Sequence, residues 1–519
     1  GVALDKSVRG QIITKGLNDA VLIYGAKDIE YLSIIKRKQI AEAKALDLMS
    51  AISLDNAFVV VLSYIEYCGI KLDYEKWKKK TDVEVENVRK LKSILEQKLW
   101  EDKKYKYFSG MVDLFTGEQD CIINWDSPKQ ILSLLKSYGI NTTIVVKGEK
   151  KESIDAKVLL PQIKSFSIIK PYLEYKAASK SISTYGYNWK KYIHPKTGRI
   201  HTVFYQLKDT GRMSSGNVRE NKPNLQNLPS DALTRSCFIS ESGNLIMSAD
   251  YSSQEQIVLV NFSREENLIQ FYEKGFTDMH SYVAFLMYPN IRKCSIEELT
   301  PESLKYIKKE YPENRKIAKN AGFAINYGGN GSTIAKNCDI TKTEGDFVYE
   351  SYFNSFPGLK NYFNINLQKA LQTGYIEFNK VTRRKYLFSP ENEYFKYRDE
   401  VDDPYFWHMA DNPKQIMAKY TKAKNEIARL SQNYPIQGSA ADITKYACIL
   451  YFKWILKNKY LHTVKIINIV HDEILVEAPE TLVPIAKKEL LRCMEEAGKP
   501  FCPIVPLKAT VDIESYWKH

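Results

Sequence analysis

The chain lacks the cysteine spacing of a disulfide or zinc scaffold. Its eight cysteines, Cys68, Cys121, Cys237, Cys294, Cys338, Cys448, Cys493 and Cys502, are scattered over 519 residues. They form no C-x-x-C pair and no Cys/His cluster with metal-ligand spacing, so they read as reduced thiols. Glycine (24) and proline (19) are too sparse for long flexible linkers, and no internal repeat or low-complexity tract is present. Unbroken apolar stretches such as Ala57 to Leu62 are far below the ~20 residues that span a bilayer, and no signal-peptide pattern opens the chain. The expectation is a soluble, non-secreted protein with no membrane partner.

What is present is ordinary globular material with a basic bias. Hydrophobic residues make up 44% and charged residues 26%, which excludes disorder as the main state. At ~100–200 residues per domain the length allows three or so packed units. The 75 Lys and Arg exceed the 62 Asp and Glu by 13, and this excess favours a polyanionic partner. The chain opens on Gly1 and is expected to be a piece of a longer one.

Pattern changes mark the organisation. After Gly69-Ile70-Lys71-Leu72-Asp73, Val88, Leu91, Leu95 and Leu99 recur at helical spacing among Lys and Glu, which predicts an antiparallel helical arm. Asp126 or Ser127, with Pro128 at the first helical position, predicts a short helix running to Tyr138. From Ile193 to Asn261 turns and short β-prone runs take over, with a hairpin-like turn at His194 to Arg199 and a strand at Leu245 to Asp250. Helical periodicity then holds to about Tyr420. Two apolar runs, Val464 to Val470 and Ile474 to Ala478, flank a polar turn, His471-Asp472-Glu473.

Two constellations carry chemistry. Arg315, Lys319, Phe323 and Tyr327 fall at i, i+4, i+8 and i+12, stacking two cations and two rings along one helix face, with Gly328 ending the helix. Such a stripe suits a nucleoside triphosphate, whose phosphates meet the cations while its base meets Phe323. The alternative is a plain amphipathic helix with a solvated basic end. Separately, Asp250-Tyr251-Ser252-Ser253-Gln254-Glu255 leaves a strand with one carboxylate at its end and another five residues on, and Asp472 stands in its own turn. Phosphoryl transfer needs divalent cations held by such carboxylates. An isolated Asp at a strand end is also common.

Taken together, these segments resemble motifs A (around Asp250), B (Arg315 to Gly328) and C (Val470-His471-Asp472-Glu473) of the A-family DNA polymerases, in the same order and separation. Thr210-Gly211-Arg212-Met213-Ser214-Ser215, Pro223 to Pro229, Pro435 to Asp442, Thr197 to Thr202 and Asp126 to Gln130 extend the resemblance over nearly the whole chain. It implies template-directed addition of deoxynucleotides to a primer 3′ end with release of pyrophosphate. The implied partners are primer–template DNA and dNTPs. Asp250 and Asp472 would hold two Mg²⁺ ions, with Mn²⁺ able to substitute, helped by the Tyr251 carbonyl, and Glu473 would be a supporting carboxylate. Arg315, Lys319 and His280 would hold the triphosphate. Phe323 would disfavour dideoxynucleotides, and Glu255, paired with the Tyr327 hydroxyl, would exclude a ribose 2′-hydroxyl. Arg212, Arg429, Asn433, Gln437 and His471 would follow the minor groove, whose acceptors are shared by all correct pairs.

The resemblance further implies an α+β right-hand fold with an antiparallel-sheet palm, helical fingers and a helical thumb. Its expected parts are a 3′–5′ exonuclease-like remnant at residues 1–45, a palm-linking helix at 46–73 and a thumb at 74–192. Palm follows at 193–265, fingers at 266–430 and palm again at 431–519. Tyr24 and Asp28 are similar to the last motif of a proofreading exonuclease, whose first two metal-binding motifs are missing here, so no proofreading is expected from this chain. Ser253-Gln254 before the gate Glu255 is similar to phage-type members, and Ile469 stands where a Gln often precedes Val-His-Asp. Val218 to Lys222 and about 391–423 read as insertions, taken as surface elaboration with its own small apolar cluster in preference to a partner site. A monomer is expected, in the cytoplasm or, for a viral source, the host-cell cytoplasm. Two rivals are a single-subunit RNA polymerase, against which Glu255 argues, and a non-catalytic DNA-binding scaffold, against which the two carboxylates argue.

Overall fold

The computed structural model describes residues 17–108, 121–146, 149–295 and 297–518. Helices hold 60% and strands 12%, the α+β balance expected. Two compact units emerge, one from residues up to 67, 204–215 and 247–512, the other from 68–203, 216–246 and 513 onward.

The second unit contains the helical arm. Its long helix, Tyr74–Glu101, is capped by Asp73, whose carboxylate accepts from the Lys76 N–H at 3.0 Å. Leu95 and Leu99 are fully buried with Ile131, Leu134, Ile169 and Tyr172, while Val88 and Leu91 pack at the margin of this cluster. The helix Ile169–Tyr185 runs antiparallel to the first: Lys80 Nζ donates to the Tyr185 carbonyl at 3.2 Å, while Ile169 joins Leu95 and Leu99 at the other end. Pro128 opens the short helix Pro128–Ser137 as predicted, although its N-cap, Ser127, makes no side-chain capping bond. The turn at His194 closes through the Gly198 N–H donating to the His194 carbonyl at 2.8 Å. Beyond it Arg199–Ile200 joins Ile70–Leu72 and Phe238–Ile239 in a three-stranded sheet. The segment Val218 to Lys222 is a surface turn closed by paired backbone bonds between Asn217 and Lys222.

In the first unit, Tyr24 and Asp28 lie one turn apart on α1 (Asp19–Glu30), which is followed by α2 (Leu32–Ala45) and α3 (Met49–Cys68). By length and composition α3 could cross a membrane, which the short apolar run did not foretell. Here one face of it is packed: Phe58, Val61, Leu62 and Ile65 are buried, and the Tyr64 hydroxyl donates to the carbonyls of Leu461 and Val464, while Val59, Val60 and Tyr67 are exposed. The elements that position the site are, in chain order, β1 (Asn244–Tyr251), α4 (Gln254–Ser263), α5 (Met279–Met287), α6 (Pro312–Asn326), α7 (Pro357–Thr373), β2 (Tyr375–Glu377), β3 (Lys385–Leu387), α8 (Glu393–Val401), α9 (Phe406–Met409), α10 (Pro413–Lys457), β4 (Lys465–Val470), β5 (Glu473–Pro479), α11 (Val483–Gly498) and β6 (Ala509–Glu514).

The central sheet has the order β4-β5-β1-β6. Strand β5 is buried along nearly its whole length, because α11 packs on both β5 and α10, and its sequence accordingly reads as an almost unbroken apolar run. β4 and β5 are antiparallel with Val470 opposite Glu473. The turn is therefore only His471-Asp472, and Glu473 belongs to the strand, a correction to the three-residue turn expected.

Two further observations concern α10 and the region before it. This helix continues for 45 residues through the boundary expected between residues 430 and 431, with Pro435 inside it. Pro435 removes one ladder bond without ending the helix, since packing on both sides holds it. Gly438 is there for close approach: a Cβ would lie 2.0 Å from the Phe378 ring that follows β2. The region about 391–423 does not keep a cluster of its own. Tyr394 is buried with Leu371, Ile376, Tyr420, Ala423 and Ile427, and Phe395 and Tyr397 pack on the same core. The β2–β3 hairpin, also unforeseen, supplies Ile376 to that cluster and is preceded by Gly374 at φ +72°.

Candidate active site

Sequence spacing alone puts Asp250 at the end of β1 and Asp472 in the β4–β5 turn; the sheet order sets the strands that carry them side by side. Strand β5 lies beside β1, and the Ser248 hydroxyl donates to Oε1 of Glu473 in the buried interior. Ser248 and Asp250 are two residues apart on one strand and so share a face. This bond ties β1, which ends on Asp250 and Tyr251, to Glu473, the first residue of β5 and the one that follows Asp472. Tyr251 turns its ring into the core and donates its hydroxyl to the Met494 carbonyl at 2.8 Å. His471 takes φ +56°, a left-handed conformation that lets two residues close the hairpin. Burial raises the pKa of Asp472, aided by the Glu473 charge, while a hydrogen bond from its own N–H and the charges of His471 and Arg212 act the other way.

Glu255 stands in the first turn of α4, which is tied to α10 by the Gln254 amide donating to the Ala440 carbonyl at 3.2 Å. Its carboxylate is held by the Arg212 guanidinium rather than by Tyr327. The pairing expected between Glu255 and the Tyr327 hydroxyl is thus replaced: an ionised carboxylate takes a charged donor in preference to a phenol. Tyr327 instead interacts with the Gln437 side chain. Burial and then the Glu255 charge raise its pKa, against Arg212 and the bond to Gln437. Arg212 therefore acts on Asp472, Glu255 and Tyr327 at once.

The cationic-aromatic stripe lies along α6 and its C-cap, Tyr327. Phe323 is 51% exposed and Tyr327 47%, high values for rings on a packed helix, so this face is open. Gly328 at φ +76° ends the helix and allows contact with α10, since a Cβ there would lie 2.7 Å from Arg429 Cγ. At the other end Arg315 forms a two-point ion pair with Asp278, Nη2 to Oδ1 at 3.0 Å and Nε to Oδ2 at 3.1 Å. Asp278 also caps α5, accepting from the N–H and hydroxyl of Ser281. The His280 ring sits 6.1 Å from Phe323. Burial, then the charges of Arg315 and Lys319, lower its pKa. Arg429 is exposed, Asn433 is half-buried and Gln437 is buried on α10.

Sequence reasoning gave no role to Ser248 or Asp278. The Asp-x-x-Ser spacing of Asp278 and Ser281 is a capping signal that could have found the second. It also missed a buried ionic cluster under the site. Arg384 reaches Asp55 on α3 with Nη1 to Oδ2 at 2.8 Å and Asp442 on α10 with Nη2 to Oδ1 at 2.8 Å, and Lys445 Nζ lies 2.8 Å from Asp55. Gly211, next to Arg212, rests on this cluster: a Cβ there would meet Arg384 Cδ at 3.3 Å.

The profile described as DNA polymerase family A matches residues 100–519. The chain belongs to this family. DNA polymerase I of Borreliella burgdorferi is 32% identical over 399 residues, 76% of this chain and 38% of that protein. The Geobacillus stearothermophilus DNA polymerase I is 30% identical over 451 residues, 86% of this chain and 43% of that one. With the Bacillus subtilis DNA polymerase I the match extends over 506 residues at 29% identity, covering 96% and 49%. The family A chain thus spans less than half the length of these relatives. Among solved structures, the POL domain of Pol1 from M. smegmatis, in complex with DNA primer-template and dNTP, shares the fold, with a TM-score of 0.71 and 24% identity over 100% of this chain and 79% of that one.

As oxygen donors, the Asp250 and Asp472 carboxylates and the Tyr251 carbonyl suit a hard divalent cation. Among the described residues no three His, Cys, Asp or Glu side chains gather into an all-protein cage. Mg²⁺ is commonly bound by one or two carboxylates with substrate phosphates completing the shell. The donor set fits.

Proposed function

We propose that this chain is a DNA-directed DNA polymerase that adds deoxynucleotides to a primer 3′ end along a template and releases pyrophosphate. One observation carries the reading: Arg212 is ion-paired with Glu255 in the first turn of α4, and its charge also bears on Asp472 and on Tyr327 at the end of the open α6 face, which favours a single site for the carboxylates and the stripe.

The chemistry follows from the placement of these groups. Asp250, Asp472 and the Tyr251 carbonyl would hold two Mg²⁺ ions, whose contribution is charge neutralisation and activation of oxygens during an in-line displacement. Lys319 and Arg315 receive the triphosphate from α6; Arg315 must first exchange Asp278 for phosphate oxygens, which are equally suited to its two-point geometry. Phe323 offers a flat face to the incoming base. Glu255, fixed by Arg212, occupies the space a ribose 2′-hydroxyl would need. The primer 3′ oxygen forms the new P–O bond while the bond to pyrophosphate breaks on the opposite side.

Primer extension with dNTPs against rNTPs tests the proposal. The expected outcome is dNTP-dependent extension that Asp472→Ala abolishes while DNA affinity persists. Extension with rNTPs alone would favour the RNA polymerase rival, and DNA binding without any extension would favour the scaffold. Extension unchanged in Asp472→Ala would overturn the site.

A further inference from the structure

We propose that the groove between α9 and the start of α10 binds the unpaired template strand ahead of the primer end, an inference that rests on the polymerase reading above. The groove is shallow and open, with a volume of about 570 Å³, and its lining includes Trp407, Lys414, Met417, Ala418, Lys422 and Asn425. Phe406 anchors α9 with only 3% exposure, whereas the adjacent Trp407 is 56% exposed and presents its ring to this space. On α10 Lys419 is paired with Glu393 at 3.8 Å, and Lys424 lies over the Tyr420 ring at 5.8 Å. Lys414 and Lys422 form no ion pair among the described residues and are exposed on the groove wall. None of the acidic residues of this region lines the groove, including Asp411 just before α10 and Glu426 on it, both exposed.

Helix geometry connects the groove to the site. Tyr420, Ala423, Ile427 and Leu430 form the buried face of α10. Lys414, Ala418, Lys422, Asn425 and Arg429 are all exposed, at intervals of three or four residues, and Asn433 continues their line. At ~1.5 Å per residue, Lys422 lies about 10 Å and Lys414 about 22 Å from Arg429 along the axis. Bases inside a duplex are stacked on each other and offer no free face, so an exposed Trp flanked by lysines selects unpaired nucleotides. In a primer–template the template overhang is the unpaired strand, and at ~3.4 Å or more per nucleotide it needs about three to seven nucleotides to reach the groove from Arg429.

The test measures binding of labelled primer–templates with template overhangs of two and twelve nucleotides, by fluorescence anisotropy at fixed salt. The full chain is expected to bind the long overhang about tenfold more tightly, within the range of one or two base–aromatic stacks. Trp407→Ala and the double variant Lys414→Ala/Lys422→Ala should remove that gain, Trp407→Phe should retain most of it, and affinity for the short overhang should stay at the parent value in all three. A gain that is absent in the parent, or that survives Trp407→Ala, overturns the proposal and leaves the groove to a protein partner. Extension of the short-overhang substrate by the parent reads the polymerase assignment separately, so either reading can fail alone.

Discussion

Two sets of acids in the first unit have opposite electrostatics. Burial works against the Asp55 carboxylate, yet hydrogen bonds and charges from Arg384 and Lys445 outweigh it and hold its pKa below the ordinary range. Its partner Asp442 is completely buried and receives Arg384, Thr382 and Asn379. For Asp472 burial wins, and its pKa is raised. The Asp55 cluster satisfies itself and leaves nothing for a ligand. Asp472 is held in a partly desolvated position with too little positive charge nearby, the condition in which a carboxylate gains most from a bound cation. A closed ionic cluster under an open one explains how a rigid support and a reactive site can be built from the same residue types.

Three measurements sharpen or break that contrast. Asp472→Asn should lower single-turnover extension by about a thousandfold, while the urea midpoint stays level or rises, because the substitution removes a poorly compensated buried charge. A clear loss of stability would erase the distinction between the two sets. Arg384→Met should do the reverse in kind, costing about 3–5 kcal/mol in urea unfolding by leaving Asp55 and Asp442 buried without their shared cation; a cost below about 1 kcal/mol would mean the cluster is no better than a surface pair. The smallest effect concerns pH. Because the folded-state pKa of Asp55 is lowered, its stabilisation is fully present above the unfolded value of ~3.9 and is lost as pH falls through the folded value. The stability difference between the parent and Asp55→Asn should therefore be constant from pH 7 to about 5 and shrink below about 4, followed by chemical denaturation across that range. A gap independent of acid would show that the ionised carboxylate is not what Arg384 and Lys445 need.

The parts of the fold legible in sequence were those governed by local periodicity or by motif. The face of Val88, Leu91, Leu95 and Leu99, the Pro128 helix start, and the strands around Asp250 and Asp472 all follow from side-chain alternation and capping. What was misjudged depended on neighbours distant in the chain. Gly438 has no evident reason in the local pattern until Phe378 is seen against it. Tyr394 looks like part of a surface elaboration until Ile427 and Leu371 close over it. The apolar face of α3 is legible, but its role needs Leu461 and Val464, which arrive some 400 residues later.

The sequence by itself determined which residues carry charge, rings and carboxylates, in what order, and hence the family, because motif identity is a property of composition and spacing along one strand or helix. Only the tertiary structure decided which charges are spent on one another. Arg212 with Glu255, Arg315 with Asp278, and Arg384 with Asp55 and Asp442 are contacts across 37 to 329 residues of chain. No local pattern encodes such pairs. They arise where packing of distant apolar faces removes water from polar groups, and the cost of that desolvation selects which partners must meet.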